Sequence, residues 1–485
     1  MIRYDFAVLQ MMHGGVFCIF LFLAACGEDS GDVVENTNDS DSVGDSDSDN
    51  DGTDTTPAVV EGKTAFEVTI SLSSMISTVG IIEWSVGLDT VDSAYIEFGP
   101  DTDYGTRAPV DLGEPGFRTL LLGLKPSSGY HFRIVANSGG AGYASNDFSL
   151  KTGAMPTGLP SKIVDIDSPD EMGDEFKLMS TFSAAKDYAF ILDKDGDYVW
   201  WYSPISVRET DWVRARMTYD GKYMLIANGN VPGPNSGTLV KVSMDGEEES
   251  SYSLSTRHHD VTVLPFDDII AYIEYDDSGP GICDRIMEMT PDGGQREVFN
   301  LRDYFSHHAV SDDEWCHSNA INYVEREDAY YLSVLDFNSI IKIDRTSSEL
   351  IWVFGGEDSD FDGVAWVAQH QHQVLEDSIL LFNNLGEDGG GFNTGSRAIE
   401  YSIDEATMQA ELIWEYSSGN LSSMAMGDAK RLDNGNTLVV YSASGTIHEV
   451  DEKGRLLGSI SWGMGGTVGY VTPRRSLYGA PEEYL

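Results

Sequence analysis

Three of the chain's 10 histidines, His259, His317 and His370, stand at the same place in three successive copies of a repeated segment, and Asp428 opens the next copy. A neutral imidazole is a nucleophile toward an electrophilic centre. A protonated one stabilises negative charge, and either form exchanges protons with a bound hydroxyl. Any one histidine at such a place reads equally well as a polar strand start or a packing residue. Recurrence at one template position is what points to a site. Because these residues are far apart in the chain, only a fold that superimposes the repeats can gather them.

The repeats predict that fold. Residues 213–225, 259–270, 317–324, 370–382 and 428–438 share a polar lead, an alternating apolar run, a turn rich in Asp or Gly, and a second apolar run. An earlier copy ends over 189–200. Leads recur every ~45 to 60 residues, the period of propeller blades of four strands each. Counting copies predicts an all-β, six-bladed β-propeller over 159–485, with five or seven blades as the neighbouring counts. In that fold the innermost strands line a central channel, so residues at equivalent leads meet on a ring at one mouth. Asp193-Lys-Asp-Gly196, Met244-Asp-Gly246 and Pro291-Asp-Gly-Gly294 resemble calcium-loop fragments, but hairpin turns explain them better.

Upstream, residues 63–155 alternate over short runs at 66–70, 80–84, 94–98 and 130–134, the pattern of a small β-sandwich. The run 124–136, with Tyr130 entering a late strand, is similar to a fibronectin type III signature, and no chemistry is assigned to it. Residues 27–62 hold no Lys or Arg and many acids, which predicts a solvated tether. Asp47-Ser-Asp49-Asn-Asp51-Gly52 mimics the start of a calcium loop, yet Ala58 stands where that loop wants Glu. The first 26 residues read as an export signal: Arg3, an apolar run over 16–23, then Leu23-Ala-Ala-Cys26. That ending resembles a bacterial lipobox, which would make Cys26 the acylated first residue of an extracytoplasmic lipoprotein, on an outer membrane if the cell has one. An ordinary signal peptide cut nearby is the plainer alternative.

A formal charge of −50, from 30 basic and 80 acidic residues, excludes nucleic acid as a partner and a basic membrane-binding face. Membrane association would therefore run through the lipid anchor alone. Neither a phosphate-cradling glycine loop nor a dinucleotide fingerprint is present.

As a set, Arg257-His-His-Asp-Val-Thr-Val-Leu264, Glu314-Trp-Cys-His-Ser-Asn-Ala-Ile321, Ile340-Ile-Lys-Ile-Asp344, Ile351-Trp-Val-Phe-Gly-Gly356, Gln369-His370, Leu381-Phe-Asn-Asn384, Ser396-Arg397 and the run 427–438 resemble the bacterial arylsulfate sulfotransferase family. The resemblance covers roughly residues 180 to 463, in order. It implies transfer of a sulfuryl group from a phenolic sulfate donor to a phenol acceptor, through a sulfated histidine and with no cofactor, metal or nucleotide. By motif, His370 resembles the nucleophile. His317 and Asn319 resemble the pair that contacts the sulfuryl group, and His259, or else His258, the further catalytic histidine. Asp428 and Arg397 are candidate substrate contacts. One departure stands out. The family's Arg after the His-x-Asn segment aligns with Leu335, which is followed by Asp336. Losing a guanidinium and gaining a carboxylate weakens anion binding, so Arg214, Arg216 and Arg257 become candidates to grip the sulfuryl oxygens from another direction.

Three other readings stay open. His370 and His372, two apart on a strand, are placed to chelate a metal. Sulfate ester hydrolysis is disfavoured, because Cys316 lacks the Pro and Arg that follow a sulfatase nucleophile. A non-catalytic, surface-anchored propeller that binds a ligand or partner is the main alternative to an enzyme. Cys283 and Cys316 are either a disulfide near His317 or two separate thiols.

Overall fold

Short alternating runs make the N-terminal strands amphipathic, and they pair accordingly. Ser93–Gly99 buries Ala94, Ile96 and Phe98 on one side and leaves the intervening side chains more exposed. In the computed structural model, which describes residues 59–61, 65–182, 186–205, 212–228, 237–254, 256–266, 268–306, 314–385, 395–463 and 467–479, these strands form two sheets. One joins Phe66–Leu72, Gly80–Val86 and Thr119–Leu121. The other is built around Ser93–Gly99 and Gly129–Ser138. Ile82, Trp84, Ile96, Phe98, Phe132 and Ile134 share the core between them. The export signal, Cys26 and residues 27–58 of the expected tether lie outside the described residues, as do His307 and His308, whereas Val59–Glu61, at the expected tether's end, is a strand paired in parallel with Gly142–Ala144 of the N-terminal sheets. Among the described residues there is no α-helix, and no helix is long and apolar enough to cross a membrane.

From Lys162 to Arg474 the strands form six sheets among the described residues. Four of them run in simple chain order and begin with Trp212–Met217, Arg257–Val263, Ser318–Val324 and Val367–Val374. First strands are buried almost throughout, whereas last strands such as Gln409–Tyr416 and Glu249–Ser253 are largely exposed. That gradient follows from sheets stacked face to face, with only their outer edges in water. First strands of consecutive sheets pack against one another, so the leads of the repeats converge.

The two remaining sheets close the series with distant pieces of chain. Phe176–Phe182, Ala189–Leu192 and Tyr198–Tyr202 are completed by Thr467–Val468 and Thr472–Arg474. Lys162–Ile166 adds to Leu456–Trp462 at the edge of the sheet that starts with Asp428–Arg431. Between the completing strands, Tyr470 donates its backbone N–H to Val213 O (2.8 Å) and Val471 donates to Asp428 Oδ2 (3.0 Å), linking the last sheet to the second through the chain's far end. The repeat pattern did not anticipate this use of 467–474.

The calcium-like fragments are hairpin turns. Asp193–Gly196 joins Ala189–Leu192 to Tyr198–Tyr202, with Gly196 at φ 78°, where a Cβ would press on Val164 and Ile460. The carboxylates of Asp193, Asp195 and Asp197 converge on a cation the chain itself supplies: Lys125 Nζ lies 3.2, 2.6 and 2.9 Å from them. This contact, with Thr78 Oγ1 donating to Val199 O (2.7 Å) and Ser73 Oγ to Asp245 O (2.5 Å), fastens the N-terminal sheets to the next ones.

Candidate active site

The leads of four successive repeats enter at the start of first strands, and there the pairing breaks step. The register shifts between Trp212 and Arg214, His258 and Val261, Ser318 and Ala320, and Gln369 and His372. These are β-bulges, each of which re-aims the extra residue off the ladder. His259, Asn319 and His370 all sit in them. Local strain accompanies the bulges: φ is 51° at His259, 52° at His317 and 59° at Ala368. Left-handed backbone at non-glycine residues costs on the order of 1–3 kcal/mol each and persists where the surroundings over-determine it.

His370 is 6% exposed, and its Nδ1 lies 2.7 Å from Asn384 Oδ1. The Asn384 amide is fixed by its own bonds, with Nδ2 donating to Ser423 O (2.8 Å) and Met426 O (2.6 Å). Its oxygen therefore faces the imidazole, His370 carries its proton on Nδ1, and Nε2 keeps its lone pair. Burial, aided by the charge of His317 and opposed by Asn384, pushes the His370 pKa down to about 4. The preceding Gln369 is clamped, with Nε2 donating to Ser333 Oγ (3.1 Å), Val334 O (3.1 Å) and Ser339 O (3.0 Å). Asn319 Nδ2 donates to Gln369 O (2.8 Å), tying the fourth sheet to the strand of His370.

The other two histidines meet ring to ring. His259 and His317 have centroids 4.9 Å apart at 66°. Burial, then the nearby His317, His258 and His370, hold the His259 pKa well below the usual imidazole range. His317 goes the other way. Burial opposes its charge, but Glu314, 3.2 Å from its Nδ1, with Asp336 and Asp284 farther off, outweighs burial and pushes it up to about 9. Leu335 and Asp336 lie directly against this residue, with Leu335 N donating to His317 O (3.0 Å) and Asp336 N to Cys316 O (3.2 Å). Partial desolvation, opposed by His317 and reinforced by Glu314 and Asp284, lifts the Asp336 carboxyl to about 6. Cys283 and Cys316 form a disulfide with Cα atoms 5.0 Å apart, directly beside Asp284 and His317.

A buried polar network, the floor of the site, adjoins the histidines through Asp260 and Gln371, the chain neighbours of His259 and His370. Arg214 binds Asp260 through both Nε (2.7 Å) and Nη2 (3.0 Å), and both side chains are fully buried. Asp260 also accepts from Gln371 Nε2 (2.6 Å) and Ile321 N (3.2 Å), so one carboxylate joins four sheets. Although burial opposes it, the Arg214 guanidinium holds the Asp260 pKa down to about 2. The Tyr470 ring stacks under Arg214, 4.7 Å from Cζ, and its hydroxyl donates to Asn319 O (3.2 Å). Asp428 is fully buried at the same level, its pKa raised by burial, with Lys430 Nζ 3.5 Å away.

Of the residues singled out by sequence, His259, His317, His370 and Asn319 come together, with His258 directly behind His259. The arginines are engaged elsewhere: Arg214 with Asp260, Arg216 Nη1 with Thr262 Oγ1 (3.2 Å), Arg257 Nη2 with Asn228 O (2.5 Å), and Arg397 Nη1 with Glu415 Oε2 (2.8 Å) on an outer strand pair. His370 and His372 do not follow each other on a regular ladder. The bulge separates them, and His372 is fully buried where Lys430, Asp260 and Arg214 influence it, its pKa held down to about 3 by burial and then by Lys430. Sequence reasoning assigned no role to Asn384, Asp284, Glu314, Asp260 or Tyr470. Glu314, three residues before a candidate histidine, Asp260, inside the His-His-Asp run, and Asn384, which ends the Leu381-Phe-Asn-Asn384 run, carried a local signal.

A family model described as Arylsulfotransferase (ASST) matches residues 162–464. No curated protein matches the chain. Among solved structures, it is similar at 9% identity to a chain of a nidogen/laminin complex, covering 62% of this chain and 98% of that one with a TM-score of 0.42. It is similar at 12% identity to a streptogramin B lyase, covering 61% and 86% with a TM-score of 0.37. Sqt1 of Saccharomyces cerevisiae is similar at 8% identity, covering 86% and 95% with a TM-score of 0.34. These likenesses are too loose to bear on fold or function. The family model spans well over half of the chain and includes every histidine of the cluster, and the chain belongs to the arylsulfotransferase family.

Proposed function

We propose that the protein moves a sulfuryl group from a phenolic sulfate ester to a second phenol through a sulfated His370, using no nucleotide donor. The observation that carries this reading is the His370–Asn384 bond, which leaves a neutral imidazole with Nε2 free to attack. In the first half-reaction Nε2 forms a bond to sulfur as the aryl–oxygen–sulfur bond breaks, and the aryl oxide leaves to take a proton from water. Charge developing on the His370 ring is met by Asn384 Oδ1 at Nδ1. His317, kept protonated by Glu314, stabilises the sulfuryl oxygens, the role a guanidinium would fill; one such electrostatic partner is worth on the order of 10²–10³ in rate. In the second half-reaction the acceptor oxygen bonds to sulfur, the nitrogen–sulfur pair returns to His370, and the phenol proton goes to His259. Asn319 holds the strand that carries the nucleophile, and Asp260 with Arg214 forms the floor.

The architecture we infer is a six-bladed propeller behind a fibronectin type III-like sandwich, lipid-anchored outside the cytoplasm through Cys26. The Cys283–Cys316 disulfide supports that location, since such bonds persist in oxidising compartments. The test mixes the protein with a chromogenic aryl sulfate, with and without a phenol acceptor. We expect steady dye release only with acceptor, abolished in His370→Ala. Steady release without acceptor would indicate hydrolysis, and no release would favour a ligand-binding propeller.

A further inference from the structure

His259 is backed by a second imidazole and then by a carboxylate, in line. His258 Nδ1 lies 2.8 Å from His259 Nδ1, and His258 Nε2 lies 3.0 Å from Asp284 Oδ1. His258 and Asp284 are both fully buried, and the His258 ring is stacked on Tyr275 at 3.8 Å and 9°, which fixes its plane. Asp284 is itself fixed, because its other oxygen accepts the Ser318 N–H at 2.5 Å. Around His259 stand His317, His370 and Arg257 as further charged or titratable groups, and Tyr275 and Glu314 lie on the elements behind.

Hydrogen-bond logic orders the protons along this chain. A carboxylate only accepts, so His258 donates from Nε2 and presents the lone pair of Nδ1. Two facing nitrogens at 2.8 Å share one proton, so His259 donates from Nδ1, and its Nε2 carries a lone pair. We propose that Asp284 and His258 are positioning residues that set the tautomer of His259 and receive the proton it takes from the acceptor phenol. The relay rests on the reading that His259 serves the acceptor half-reaction. As the phenol oxygen bonds to sulfur, its proton goes to His259 Nε2. The Nδ1 proton of His259 moves to His258 Nδ1, and the resulting imidazolium faces the Asp284 carboxylate. The proton then returns to solvent, balancing the one taken up by the departing aryl oxide.

Asp284→Asn tests this with little change of shape. Its side-chain oxygen is required by the Ser318 N–H, so its NH₂ faces His258 Nε2 and both imidazoles must swap tautomers. Nitrogen NMR of ¹⁵N-histidine-labelled full-length protein, assigned with His258→Asn and His259→Asn, reads the tautomers directly. In the wild type we expect the proton on Nε2 of His258 and on Nδ1 of His259, and the reverse in Asp284→Asn. Discharge of the sulfated protein to phenol should fall on the order of 10²–10⁴-fold, the scale of a lost general base, and at least tenfold more than charging by aryl sulfate, which Asp284 touches only through its field at His317. A wild-type His259 protonated on Nε2, or an Asp284→Asn variant with unchanged tautomers or unchanged discharge, overturns the proposal. So does an equal fall in charging and discharge. If the variant does not fold, the wild-type tautomers decide. A wild type that is never charged overturns the sulfuryl-transfer reading and leaves the tautomer result to stand by itself.

Discussion

At His370 and His317 the same burial is answered in opposite ways, and the difference sets a pH window. Burial dominates at His370, whose hydrogen-bond partners, the Asn384 amide and the Ala368 backbone, are neutral, and its pKa falls to about 4. His317 has Glu314 beside it, so the carboxylate wins and its pKa rises to about 9. Attack needs His370 unprotonated, which holds above its pKa. Stabilising the sulfuryl oxygens needs His317 protonated, which holds below its own. We therefore expect kcat/KM for the aryl sulfate to be flat across neutrality, to fall below about pH 4 and to fall again above about pH 9. His317→Gln should remove the alkaline limb and lower the plateau. An acid limb at the ordinary imidazole value of 6.5 would show that His370 is not held as described. The candidate nucleophile was legible because its residue type recurs at one template position. Asn384 stands in one of the resembling runs, but its bond to His370 was not legible, because an asparagine inside a strand carries no mark of what it faces.

Strand starts do the positioning, and two devices there sharpen it. Bulges turn His259, Asn319 and His370 off their ladders. A bulge inserts a residue without altering composition or apolar pattern, so it was invisible in the sequence, whereas the Asp-Gly hairpins were plain because left-handed backbone demands glycine there. The second device is the disulfide. It joins residues 33 apart and stands beside both Asp284 and His317. Closing a loop of that length is worth about 2–4 kcal/mol, so Cys283→Ala with Cys316→Ala should lower urea-unfolding stability by that amount. Activity should fall further than stability explains, because the anchors of two site histidines are loosened. Equal urea midpoints for the oxidised wild type and the double variant would contradict this.

Over the whole molecule, the site exists only because consecutive sheets bring their first strands together, and the repeats announced that. What they could not announce is the closure. Thr467–Val468 and Thr472–Arg474 complete the first sheet across nearly the whole repeat region, and such long-range pairing leaves no local periodicity. The same closure supplies Tyr470 to the floor under Arg214, so the end of the chain supports the centre of the site. Charge worked differently at this scale. The chain carries a net charge of −50, yet at the site the local balance around His317 produces a cation, and screening beyond ~8 Å at physiological salt keeps the two effects apart. The central claim is that His370 becomes covalently sulfated. The most direct measurement charges the protein with an aryl sulfate in the absence of acceptor, quenches it at alkaline pH and maps the sulfo group by peptide mass spectrometry. One sulfo group is expected, on His370, and it disappears when phenol is added. A sulfo group on another residue, or none while phenol sulfate still forms, would contradict it.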